Sequence, residues 1–214
     1  MRTELITRKE IKNKYKKCAT FGDFIDVLEK DHEKDGNVIC GLKINGESIG
    51  SHDEIELALS NLDFIDEIEV SFEDSRVLVF ETMQSLVGYV DQLKDEATKV
   101  ANYFRTNCEQ DGIKSFAEFV SACEWINDTF IEIRSAFSAQ KMELRSSSLW
   151  HSTEQTFVSV LKAIAGAFEV KDYVLLADLL QYEIPEVLDH WREVLGMEIE
   201  HSKRKGLISS SSAD

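Results

Sequence analysis

The chain has 214 residues, one proline and ten glycines, with 43% hydrophobic and 30% charged side chains, a composition that excludes a disordered polymer and favours long helices over an all-β protein rich in turns. Its formal charge of −16 and isoelectric point near 4.7 repel phosphate backbones and anionic lipid, so neither nucleic acid nor membrane is expected as a partner. No apolar run approaches the roughly 20 residues of a bilayer-spanning helix, and the length favours two modules.

In chain order, Arg8, Lys9, Lys12, Lys14, Lys16 and Lys17 crowd together before an acidic region that opens at Asp23. This stretch reads as a solvated basic arm or helix, with docking on an acidic partner or on a second copy as its functional alternative. Phe21, Phe24, Ile25 and Leu28 share one face of a short helix that Thr20 caps and Asp35-Gly36 ends. Val38 to Ile44, then Asn45-Gly46, then Glu47-Ser48-Ile49 form a β-hairpin signal, because the type I′ turn favours Asn-Gly. Ser51 to Leu62 reads as a second short helix with Ser51 and Glu54 as a capping box. Phe64 to Phe72 alternates as a third strand with one wet face.

From Arg76 the period becomes helical. Met83, Leu86, Val90, Leu93, Ala97, Val100 and Phe104 recur at steps of three and four, and Asp111-Gly112 is read as the stop. Ser115 and Glu118 are spaced as a capping box for a second helix carrying Phe116, Phe119, Cys123, Ile126, Phe130, Ile133 and Phe137. Trp150, Thr153, Phe157, Val160, Ile164 and Ala167 give a third, after a break placed between Ser138 and Ser148. Asp172 caps a fourth carrying Ala177, Leu180, Ile184, Val187, Trp191 and Val194, with a kink predicted near Gln181 because Pro185 has no N–H to donate. The expected fold is therefore α+β and predominantly helical: a small acidic αββαβ module over 1–74, an antiparallel up-down four-helix bundle over 75–197, and a disordered tail over 198–214.

Motifs that carry chemistry are sparse. Glu29 with His32 and Glu198 with His201 match the Glu-x-x-His spacing of bundle metal sites, but neither pair sits on a bundle seam. Glu186, Asp189 and His190 share a solvent-side stretch. Cys123 lies on an apolar seam, where a thiol is inert. Gly41, Gly46 and Gly50 are turn and strand glycines rather than a phosphate loop, and Asp53-Glu54 and Asp66-Glu67 read as solvated charge. The expectation is no catalytic residue, no metal and no cofactor. The four cysteines show no C-x-x-C pair and the first residues no apolar signal segment, so reduced thiols and a cytoplasmic location are expected.

Tryptophan and tyrosine are favoured anchors of binding surfaces. Trp150 and Trp191 occupy seams and read as core, whereas Trp125 is off its seam. Trp125, together with Tyr182 and Pro185 at the kinked fourth helix, are the candidate partner-binding residues. The segments Ile65–Val70, Val79–Leu86 and Lys171–Glu183 resemble an uncharacterised bacterial family that pairs a small strand-containing front module with a helical bundle. The resemblance implies a bacterial cytoplasmic protein and transfers no activity, cofactor or catalytic residue.

The reading that follows is a non-enzymatic protein-binding module, an adaptor or export-type chaperone whose partner is another protein. The alternatives are a metal-binding or enzymatic bundle using carboxylates with His190 or His151, and a homodimeric structural scaffold.

Overall fold

A computed structural model describes residues 1–34, 36–106 and 108–205, which form two compact units, Met1–Leu78 and a second beginning at Val79. Asp35 of the expected Asp35-Gly36 stop, the Ser51 side chain of the expected capping box and the serine-rich end of the tail lie outside the described residues.

The first unit runs β1 (Arg2–Thr7), α1 (Arg8–Lys14), α2 (Phe21–Glu33), β2 (Asn37–Ile44), β3 (Glu47–Ile49), α3 (Ser51–Leu57), a 3₁₀ turn (Leu62–Phe64) and β4 (Glu67–Asp74). The four strands make one antiparallel sheet in the order β1-β4-β2-β3. Ile68 pairs with Ile6 on one side and Ile44 on the other, and Val70 with Leu42, so one face is apolar. Phe21, Phe24 and Leu28 of α2, all 0% exposed, pack in the same core. Burial of such side chains contributes roughly 1.5–3 kcal/mol each. Glu67, Glu69 and Lys43 leave the other face polar.

The expected αββαβ order is corrected to βααββαβ. The basic stretch, read as a solvated arm or helix, is a short helix from Arg8 to Lys14, but Ile11 within it and Tyr15 after it are buried in the core, and the strand β1 that precedes it was not expected. Within β1 only Ile6 is buried, so period-2 alternation is too faint to mark a strand, and its pairing with β4 is long-range. Arg8 serves the fold as well: its Nε donates to the Ile65 carbonyl at 2.9 Å, and its guanidinium also reaches the Asp63 carbonyl and the Asp66 carboxylate.

Two local devices fall where the residues predict them. Thr20 caps α2, its hydroxyl accepting from the Asp23 N–H at 3.1 Å while the Asp23 carboxylate accepts from the N–H groups of Thr20 and Ala19 at 3.0 Å. Asn45 and Gly46 take φ of 51° and 86°, the turn geometry that suits Asn-Gly. The Asn45 side chain also donates to the Phe64 carbonyl and accepts from the Asp66 and Glu67 N–H groups, which pins the hairpin tip to the start of β4. At α3 the helix starts at Ser51 but ends at Leu57, short of the expected Leu62, and the carboxylate that reaches back to its start is Asp53 rather than Glu54, accepting from the Gly50 N–H at 3.0 Å.

The second unit contains α4 (Ser75–Arg105), α5 (Glu109–Ala139), α6 (Ser147–Glu169), α7 (Tyr173–Asp178), a turn of π-helix (Leu179–Glu183) and α8 (Ile184–Arg204), the first turn of α4 belonging to the first unit. Every predicted seam residue is buried except Val160, which is partly buried. Contacts between helices fix the arrangement. Phe80–Lys203, Asp91–Arg192, Lys94–Asp189 and Arg105–Asp178 pair α4 with α7 and α8, numbers rising on one side as they fall equally on the other. Tyr89–Trp125 and Phe104–Phe116 join α4 to α5; Phe116–Phe168 and Arg134–Glu154 join α5 to α6; Trp150–Trp191 joins α6 to α8. Each neighbouring pair is antiparallel, the up-down-up-down bundle. Its centre is aromatic: Phe130 stacks on Trp191 with ring centres 3.7 Å apart, and Trp150 and Phe157 meet Phe130 edge-on.

Three expectations are corrected. Asp111-Gly112 does not stop α4, which ends at Arg105; the pair lies inside the start of α5. Gly112 is there for close approach, since a Cβ at that position would sit 3.3 Å from the Phe104 ring. Ser115 is accordingly mid-helix and not a cap. The tail read as disordered from 198 is helical to Arg204, because Glu198 is fully buried and tied to the start of α6. Near Gln181 the helix does depart from α geometry, in the π turn just before Pro185.

Candidate functional site

Several of the groups with potential for chemistry are engaged in structure. Cys123 is 0% exposed, and burial pushes its thiol up to about 12, with Glu124 adding to the shift. His32 stacks on Phe72 at 4.0 Å and lies 3.6 Å from the Glu4 carboxylate. Glu198, the partner of His201 in the sequence pattern, faces the N-terminus of α6. Asp189, between Glu186 and His190, is paired with Lys94. His151 is exposed and lies 3.8 Å from Glu154, which also holds Arg134. Among the described residues no group of three or more His, Cys, Asp or Glu is placed to hold a metal ion.

The three tryptophans separate cleanly. Trp150 and Trp191 are 0% exposed, whereas Trp125 is 53% exposed. Trp125 stands on the flank of α5 because it lies between the inward residues Cys123 and Ile126. On α4, Tyr89 is off the seam in the same way, between Leu86 and Val90. The two rings meet edge-on with centres 4.9 Å apart, a geometry favoured by the aromatic quadrupole.

Beside this pair the surfaces of α4 and α5 part to leave a groove of about 280 Å³ lined by Tyr89, Gln92, Leu93, Glu96, Ser115, Glu118, Phe119 and Ala122. Its floor is apolar, Leu93 and Phe119 being buried. Ser115 and Ala122 are the small residues of its lining. Glu96 and Glu118 stand at the end away from Trp125. Glu96 makes an exposed i,i+3 pair with Lys99, and Glu118 makes no ion pair among the described residues.

Tyr182 is 60% exposed and lies at the π turn, with the Arg105 guanidinium 5.9 Å from its ring centre. Pro185 is half-buried at the start of α8. These two do not join Trp125 in one surface. Tyr89, which touches Trp125, and Arg105, which touches Tyr182, are sixteen residues apart on α4, about 24 Å at 1.5 Å per residue. Of the three candidates drawn from the sequence, Trp125 touches Tyr89, which lines this groove, without itself lining it. Tyr89, Glu96 and Glu118 were missed; an off-seam tyrosine in α4 was the one available signal.

A second, wider groove of about 470 Å³ lies between α5 and α6, lined by Arg134, His151, Glu154, Gln155, Val158, Ser159 and Lys162. Three of its polar groups, Arg134, His151 and Glu154, satisfy one another.

Fold and surface together define an α+β protein that pairs a small sheet unit with a four-helix bundle bearing a groove between α4 and α5. Residues 81–194, more than half of the chain and all within the second unit, match the model of a domain of unknown function (DUF8042), and the chain belongs to that family. No curated protein and no solved structure matches the chain. Of the segments that carry the resemblance, Lys171–Glu183 lies within the matched stretch, Val79–Leu86 straddles its start and Ile65–Val70 precedes it. No helix among the described residues is long and apolar enough to cross a membrane.

Proposed function

We propose that this chain is a non-enzymatic protein-binding module, an adaptor or export-type chaperone of the bacterial cytoplasm, whose α4–α5 face holds a segment of another protein. One observation carries the reading: Trp125 leaves half its surface in water, braced by Tyr89 at the mouth of a groove with an apolar floor. Covering the exposed half of an indole removes on the order of 100 Å² of apolar area, about 2.5 kcal/mol at ~25 cal/mol/Å², the scale of a binding hot spot. Tyr89 reduces the rotamer freedom the indole has left to lose, so the anchor is partly preorganised.

The test is affinity capture from source-cell lysate with the wild-type chain and with Trp125→Ala, read by quantitative mass spectrometry and followed by reconstitution with the purified partner. A protein held in simple stoichiometry by the wild type and lost with Trp125→Ala is expected. Capture that is indifferent to Trp125, or nothing above background, refutes the reading.

A further inference from the structure

Resting on the reading of the α4–α5 face as a binding surface, we propose that the groove takes a cationic protein segment, with an apolar or aromatic side chain on the Trp125–Tyr89 pair and a lysine or arginine at Glu96 and Glu118. The groove has two chemically different ends. Tyr89 marks the aromatic end and Glu96 the acidic one, seven residues apart on α4 and thus about 10 Å along its axis. An apolar floor joins them, with Leu93 and Phe119 beneath. An occupant must therefore offer an apolar group at one point and a charge of the opposite sign about 10 Å away.

Charge decides the sign. Glu118 makes no ion pair among the described residues, the exposed Lys114 one turn before it on α5 not being bonded to it, and Glu96 is paired with the exposed Lys99, three residues along the same helix. An exposed i,i+3 pair of this kind contributes little and exchanges readily. Around them lies a chain of net charge −16, whose field raises the local concentration of cationic partners and repels anionic ones. A spacing of about 10 Å corresponds to two turns of a helix, side chains at i and i+7, or to about three residues of extended chain.

The experiment selects a random 16-residue phage-displayed peptide library on the full chain, then measures the selected peptides by fluorescence anisotropy against three variants. The expected peptides place a large apolar residue and a lysine or arginine at one of those two spacings. They lose about tenfold or more in affinity with Trp125→Ala, and about three- to tenfold with Glu96→Gln/Glu118→Gln, the latter loss shrinking as salt is raised. They are unchanged with Glu183→Gln/Glu186→Gln, an equal change of charge at two exposed positions on other helical turns. Circular dichroism of each variant verifies that the fold is kept. Trp125-dependent peptides that are neutral or acidic, or that are indifferent to Glu96 and Glu118, overturn the cationic assignment and leave the binding module standing. Peptides whose binding ignores Trp125, or no selected peptide at all, overturn both.

Discussion

Replacing Glu198 tests how the C-terminal helix is held. Its side chain is fully buried, and its carboxylate accepts from the Ser146 N–H at 2.7 Å and the Arg145 N–H at 3.2 Å. Ser146 precedes α6 without capping it by its own hydroxyl, and Glu198 of α8 ties down the two residues that lead into the helix. Hydrogen bonds to a charged acceptor contribute about 1.5–3 kcal/mol each, and the negative charge also sits at the positive end of the α6 dipole. Glu198→Ala leaves both N–H groups without an acceptor and opens a void, so a loss of about 3–5 kcal/mol is expected. Glu198→Gln keeps one oxygen and loses the charge, so about 1–2 kcal/mol is expected. All three tryptophans lie in the second unit, and their fluorescence in a urea titration follows that unit. With a slope of about 2 kcal/mol/M the Ala variant unfolds at a midpoint lower by roughly 1.5–2.5 M. An Ala midpoint within about 0.25 M of the wild type would refute the reasoning, because a buried carboxylate with two donors cannot then be holding the helices together.

Three further outcomes are expected. Acrylamide should quench mainly Trp125, the one exposed indole among the three, so Trp125→Phe should remove most of the quenchable emission; an unchanged Stern–Volmer slope contradicts the assigned exposure. Asn45→Ala should destabilise the first unit by about 2 kcal/mol, since it forces a positive φ on alanine and removes three side-chain hydrogen bonds; Asn45→Gly should recover the backbone part alone, and amide exchange in β2 and β3 as slow in Asn45→Ala as in the wild type counts against the role. The N–H groups of Thr20 and Ala19, and after them the Thr20 hydroxyl, hold the Asp23 carboxyl below its ordinary 3.8. Its contribution is therefore present above that value and is lost as pH falls through the lowered one, so carboxyl-detected NMR should place the Asp23 midpoint below 3.8 in the wild type and nearer to it in Thr20→Ala.

Much of the fold could be read locally. The seams of α4, α5, α6 and α8 were legible because an amphipathic helix repeats its apolar residues every three to four positions whatever it packs against. The Asn45-Gly46 turn and the Thr20 cap were legible for the same kind of reason, each being set by a few adjacent residues. β1 was not, since one buried isoleucine in six residues becomes a strand only when β4 is beside it. Gly112 was misread as a stop because its neighbour Phe104 comes from another helix.

The recognition surface divides the same way. That Trp125 faces outward follows from its position between Cys123 and Ile126, and the sequence by itself determined that much. Its pairing with Tyr89, the groove beside them and the placing of Glu96 opposite Glu118 depend on the register of α4 against α5. So does the separation of Trp125 from Tyr182, and so, between α6 and α8, does the burial of Glu198 in a stretch that looks like a solvated tail. Register is decided by how the whole core interlocks, a sum over side chains far apart in the chain, and only the tertiary structure could decide it.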